Sequence, residues 1–140
     1  DSGNFNFRCK NNKYYHNTVD CRNCDRHAMS FRNGGTGNEF KNNIIITDEY
    51  DAIAIDSESN SENDIDYNLY LSDVFFENTN EDFISFEQWQ NLGFDENSFT
   101  DVFSNIFVSD GNYNLTSQSS ALDNAIEVGI EIDLEIMVLI

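Results

Sequence analysis

The sequence predicts an all-β chain wound as a parallel solenoid of a few turns, with one short helix in its C-terminal half. Three observations predict it. Segments 12–20, 38–46 and 63–71 align without gaps, each with Asn at its first and sixth positions (Asn12 and Asn17, Asn38 and Asn43, Asn63 and Asn68) and an apolar residue at its third (Tyr14, Phe40, Ile65). A second series, Ala28-Met-Ser-Phe31 and Ala52-Ile-Ala-Ile55, alternates as half-buried strands do and repeats at nearly the same interval. Turn-rich stretches, 33–37 and 57–62, separate the two series. A period near 25 with short strands and Asn at a fixed phase marks a repeat in which equivalent positions stack.

Each element has a local reason. Asn tolerates left-handed backbone at a corner between strands, and its amide can bond the equivalent amide above and below. The ladder expected is Asn17–Asn43–Asn68, in a structural role. Ser85 followed by Gln88 reads as a capping box, and Phe86, Trp89 and Leu92 share one helical face before Gly93 stops the helix. Trp89 is expected as a packing anchor rather than a sugar platform. Val102–Val108 and Tyr113–Leu115 read as further strands. The alternating segment Ile130–Ile136 reads as one more, ending in the apolar Met137–Ile140, which suits a cap or a contact between copies. The whole chain, 1–140, is expected as a single domain, with regular coils over 1–83 and the helix plus closing strands over 84–140.

Composition narrows the function. Seven Lys and Arg stand against 26 Asp and Glu, a net charge of −19, which excludes a nucleic-acid binder that works through a general positive field. No apolar run is long enough for a transmembrane helix. The 14% aromatic content and many Ile can supply a core despite the charge. The chain starts at Asp1 without Met or a leader-like segment, so any targeting peptide is expected to be already removed. Charge is also split along the chain. All seven basic residues lie in the first 41 positions against four carboxylates, whereas the remaining 99 positions hold 22 carboxylates and neither Lys nor Arg. The two parts are expected to meet different things.

The run Asn12–Leu71 resembles right-handed parallel β-helix proteins, particularly the extracellular polysaccharide-lyase type. Ile84–Ser98 is similar to the short helix and turn that follow the last full coils in that group. Asn112–Ala125 resembles its closing segment, with Ser120-Ala121 lacking the usual Pro and Asn124-Ala125 standing where Gly is common. A full lyase has many more coils, so the likeness is to a C-terminal portion or a short relative. The resemblance implies a secreted, carbohydrate-interacting protein with lyase-like ancestry, acting on acidic polysaccharide. The alternative is a non-catalytic structural or adhesive module that forms a homo-oligomer through its apolar C-terminal strand. Neither reading involves nucleic acid or membrane.

β-Elimination needs a base, a group that neutralises the enolate and an acid. Lys, Arg, Tyr and His fill those roles, and the basic, aromatic N-terminal block holds all four types. Its candidate ligand-binding residues are Lys13, Tyr15, His16, Arg26, His27 and Arg32, weighed against a merely solvated face with stacked aromatics. No spacing assigns a catalytic role to any one of them. Ca²⁺ is the candidate cofactor, with Asp56, Glu58 and Asp64 as ligands in an acid-rich turn, again weighed against a solvated face. Hydrolysis by a carboxylate pair is less favoured, because abundance makes each carboxylate uninformative. Cys9, Cys21 and Cys24 are expected as a disulfide plus a free thiol, or as three buried small side chains, in preference to a zinc site with His27.

Overall fold

A computed structural model describes residues 9–48, 50–60, 62–71 and 76–129. They form an all-β arrangement in which each repeat contributes one strand to each of three parallel sheets. The first sheet orders β1 (Lys13–Tyr15), β4 (Glu39–Lys41) and β7 (Asp64–Asp66). The second orders β2 (Thr18–Asp20), β5 (Ile44–Ile46), β8 (Leu69–Leu71) and β11 (Phe99–Asp101). The third orders β3 (Met29–Phe31), β6 (Ile53–Ile55) and β9 (Phe76–Glu77), with β10 (Phe83–Ile84) added antiparallel at its edge. The aligned third positions are in register, Tyr14 on Phe40 on Ile65, as are Met29, Ile53 and Phe76.

The inward side chains make one core. Phe31, Phe40, Ile45, Ile53, Ile55, Ile65, Tyr70 and Phe76 pack with Trp89 and Phe94. Trp89 lies between Phe76 and Phe94, with ring centroids 4.8 and 4.5 Å away, in the anchoring role expected of it. It is carried by α1 (Phe86–Gln90), whose N-terminus has the predicted capping box between Ser85 and Gln88. Leu92 departs from the expected helical face: the helix ends at Gln90, and Leu92 is exposed.

Ile44–Ile46 and Leu69–Leu71 are apolar throughout because their sheet is covered on both faces. Ile45 and Tyr70 face the core, while Ile46, Leu69 and Leu71 pack under Ile106 and Phe107. That cover corrects the strand expected over Val102–Val108. The segment is a single helical turn, α2 (Phe103–Ile106), followed by β12 (Phe107–Ser109), which pairs antiparallel with the expected strand at β13 (Asn112–Leu115). Phe103, Ile106 and Phe107 have helical spacing, and burying them on β5 and β8 outweighs the local preference for strand. The expected strand at Ile130–Ile136 and the apolar end at Met137–Ile140 lie outside the described residues.

The expected amide ladder is present, and a second one accompanies it. Asn17 Nδ2 donates to Asn43 Oδ1 at 2.9 Å, and Asn43 Nδ2 donates to Asn68 Oδ1 at 3.1 Å. The first-position series repeats the pattern: Asn12 to Asn38 at 3.1 Å and Asn38 to Asn63 at 2.9 Å. In both series the backbone N–H of the upper Asn donates to the same lower carbonyl oxygen. The left-handed corner sits one residue before the expected ladder, at His16 (φ 55°), Asn42 (φ 58°) and Tyr67 (φ 57°). The Asn17 series therefore satisfies polar groups inside the corner while its neighbours make the turn.

Candidate functional site

The outward face of β1, β4 and β7 is a small grid of polar side chains, because their central residues point inward. One column is Lys13, Glu39 and Asp64; the other is Tyr15, Lys41 and Asp66. Lys13 Nζ lies 3.3 Å from Glu39 Oε1, Lys41 Nζ lies 2.5 Å from Asp64 Oδ2, and Tyr15 donates its hydroxyl hydrogen to Glu39. Asp66 accepts from the backbone and side-chain amides of Asn97, at 2.7 and 2.8 Å. Two cations face three carboxylates, so the grid carries no positive excess.

These contacts set the protonation states. The hydrogen bond to Glu39, reinforced by its charge, raises Lys13. Partial burial and the same carboxylate raise Tyr15. The Tyr15 hydroxyl in turn lowers Glu39, and with Lys13 and Lys41 it outweighs the opposing effect of burial. Burial pulls Lys41 down, but Asp64 and Glu39 outweigh it and leave it raised. At neutral pH Lys13, Tyr15 and Lys41 are therefore protonated donors and Glu39 is an ionised acceptor, so neither Lys13 nor Tyr15 is poised as a base.

A second constellation sits at the third sheet. His27 and Asp51 each stand two residues before the registered pair Met29 and Ile53, so the repeat places them together. His27 Nδ1 is 2.8 Å from Asp51 Oδ2 and 3.9 Å from Glu77 Oε2. Glu77 follows Phe76 on β9, and its other oxygen accepts from the Arg32 guanidinium. Asp51 is 2% exposed and Glu77 9%. The Arg32 Nε is buried without a hydrogen-bond partner.

The candidates from the N-terminal block are thus divided. Lys13 and Tyr15 share the first sheet's face, and His27 and Arg32 share the third sheet's cluster. His16 lies at a corner beside Asn42, lining a groove of about 200 Å³ that also takes in Tyr67 and Ala125. There Asn42 clasps the backbone of Ile126 through both of its amide atoms, at 2.7 and 2.9 Å. Arg26 is exposed ahead of β3, and its carbonyl oxygen lies 3.8 Å from the disulfide-bonded Cys21 sulfur. Among the described residues, no hydrogen bond or ion pair links Tyr15, His16, Arg26 and His27 to one another.

The acid-rich turn is distributed as well. Asp56 accepts from the backbone of Asn33 at 2.6 Å and of Ser59 at 2.9 Å; these bonds outweigh its burial and lower it. Asp64 is engaged with Lys41, and Glu58 is exposed. Among the described residues, the His, Cys, Asp and Glu side chains that converge as a donor set are His27, Asp51 and Glu77. Cys21 and Cys24 form a disulfide and Cys9 is free and exposed, the first of the arrangements expected. Beside that disulfide, Arg22 bonds both Asp20 and Asp110 and holds Asp20 well below the usual carboxylate range.

Glu39, Lys41 and Glu77 were not singled out by residue type, and Asp51 and Asp66 only as members of the acid-rich run around Asp56, Glu58 and Asp64. Repeat phase carries the missing signal, since Glu39 is one repeat after Lys13 and Asp51 one repeat after His27. Comparison of the chain with protein-family models, curated proteins and solved structures finds no match.

Proposed function

We propose that this chain is a parallel β-helix module of a secreted protein that holds polysaccharide without cleaving it, a non-catalytic relative of the lyase type. The observation that carries the reading is the outward grid Lys13, Tyr15, Glu39, Lys41, Asp64 and Asp66. It presents hydroxyl, ammonium and carboxylate groups at one-strand spacing along a short flat face. Sugar hydroxyls pair with such alternating donors and acceptors, and Tyr15 adds an aromatic surface. The raised Lys13 and Tyr15 remain protonated, which favours binding over proton abstraction.

The charge balance determines how an acidic glycan is met. A chain of −19, with its basic residues on this face already paired, repels a polyuronate unless a cation lies between. Calcium, taking several oxygens from both partners, is that counter-ion. The Cys21–Cys24 disulfide suits an oxidising, extracytoplasmic setting.

Affinity electrophoresis through gels holding pectate, alginate or a neutral glucan tests the proposal. Migration is expected to slow in the uronate gels with calcium and to recover with a chelator, with no unsaturated product by absorbance. Tyr15→Ala combined with Lys41→Ala is expected to abolish the retardation. Unaltered migration in every gel overturns glycan binding in favour of a purely structural module. Retardation by the neutral glucan alone overturns the acidic specificity, and appearance of unsaturated product overturns the non-catalytic assignment.

A further inference from the structure

We infer that His27, Asp51 and Glu77 form a binding site for one divalent transition cation of the zinc type. This site does not depend on the glycan reading. One donor atom from each residue lies within 4.8 Å of the other two, and the closest pair, His27 Nδ1 and Asp51 Oδ2, is 2.8 Å apart. Donors bound about 2.0–2.2 Å from a zinc ion sit roughly 3–3.5 Å from one another, so closure asks only for a modest inward shift of Glu77.

The donor types choose the metal. An imidazole nitrogen with two carboxylates suits zinc, cobalt or manganese, whereas calcium and magnesium prefer an all-oxygen set. Arg32 occupies one oxygen of Glu77 and leaves the other turned toward His27, so Glu77 would bind through a single oxygen. A guanidinium holding a ligating carboxylate in place is the sort of outer contact that orients metal ligands.

Charge compensation is an independent argument. Glu77 has Arg32, but among the described residues the ion-pair partner of Asp51 is His27 alone. With a neutral imidazole, a carboxylate 2% exposed has no full counter-charge, which is costly in a buried setting. A cation supplies that charge. Binding replaces the Nδ1 hydrogen bond, with the ring proton carried on Nε2, and an imidazolium would release one proton to solvent. The His27 side chain is 16% exposed, which leaves a way in and room for a water ligand.

The test uses the full chain carrying Cys9→Ser, to remove the exposed thiol, with its disulfide intact. After chelator treatment it is titrated with zinc chloride by calorimetry and with cobalt chloride by visible absorption. The expected result is saturation at one equivalent, unaffected by millimolar calcium. Asp51→Asn and His27→Gln are each expected to weaken binding at least tenfold, while Glu58→Gln, on an exposed side chain, leaves it unchanged. NMR of the two histidine rings in the Cys9→Ser chain covers the case in which those variants fail to fold. Zinc should move the His27 resonances, identified with a His16→Gln variant, and leave those of His16 in place. Absence of saturable binding, displacement by calcium, unweakened binding in both folded ligand variants, or no zinc-induced movement of the His27 ring would each overturn the site.

Discussion

Asp95 shows at the residue scale how a single polar group ends a repeat. It is 1% exposed, yet four side chains donate to its carboxylate: Asn68 Nδ2 at 3.0 Å, Tyr70 at 2.8 Å, Trp89 Nε1 at 2.8 Å and Ser98 at 2.5 Å. Asn68 is the last rung of its ladder, so Asp95 and Ser98 receive the bonds a further Asn would have taken. Burial nevertheless dominates and raises Asp95 above the ordinary carboxylate value. A raised pKa in the folded state means that folding favours the protonated form. The contribution of Asp95 is therefore full below about pH 4, where an unfolded Asp titrates, and is lost as pH rises through its folded pKa. Asp95→Asn removes that titration but turns an amide N–H₂ toward donors. Urea unfolding from pH 4 to 7 should show the variant less stable at neutral pH by about 1–3 kcal/mol, with the gap changing as the wild-type carboxylate ionises. A gap that stays constant across this range would show that Asp95 titrates alike in both states.

The amide ladders work at the scale of elements. Asn43 is the middle rung: its Oδ1 accepts from the backbone and side chain of Asn17, and its Nδ2 donates to Asn68 and to the Tyr14 carbonyl. Asn17 stands at the end of the series and is exposed. Replacing Asn43 with Ala removes bonds to the buried Asn68, the half-buried Tyr14 carbonyl and Asn17 at once, at a cost of about 1–3 kcal/mol for each buried group left without a bond. Asn17→Ala frees groups that water can reach. Denaturation midpoints should therefore fall much further for Asn43→Ala than for Asn17→Ala, and equal losses would show that the ladder does not act through buried satisfaction. The same scale shows where sequence patterns succeed and where they do not. The Ser85–Gln88 capping box was readable because both of its bonds are local. The α2 turn was not, because its apolar residues look like a strand until Ile46, Leu69 and Leu71 provide a surface to cover.

For the whole molecule, charge opposes compactness. Seven cations cannot balance 26 carboxylates, and among the described residues four of the seven, Lys13, Arg22, Arg32 and Lys41, are drawn into pairs, joined by His27 when it is protonated. The exposed pairs contribute little, whereas repulsion among the surplus carboxylates extends over a distance set by salt, about 30 Å at 0.01 M and about 3 Å at 1 M. Sodium chloride should therefore raise the urea midpoint steadily between those concentrations. A falling midpoint would mean that the ion pairs outweigh the repulsion.

The amino-acid sequence by itself determined the repeat. Its period, the phase of both Asn series, the inward apolar positions and the helix cap all follow from spacing along the chain, because stacking returns equivalent positions to the same place. Only the tertiary structure decided which polar residues act together. Tyr15 and His27 belong to one basic block in the sequence but face different sheets, whereas His27, Asp51 and Glu77 are far apart along the chain and meet in space. Side-chain partnership depends on which repeats lie side by side, and that is a property of the packed chain.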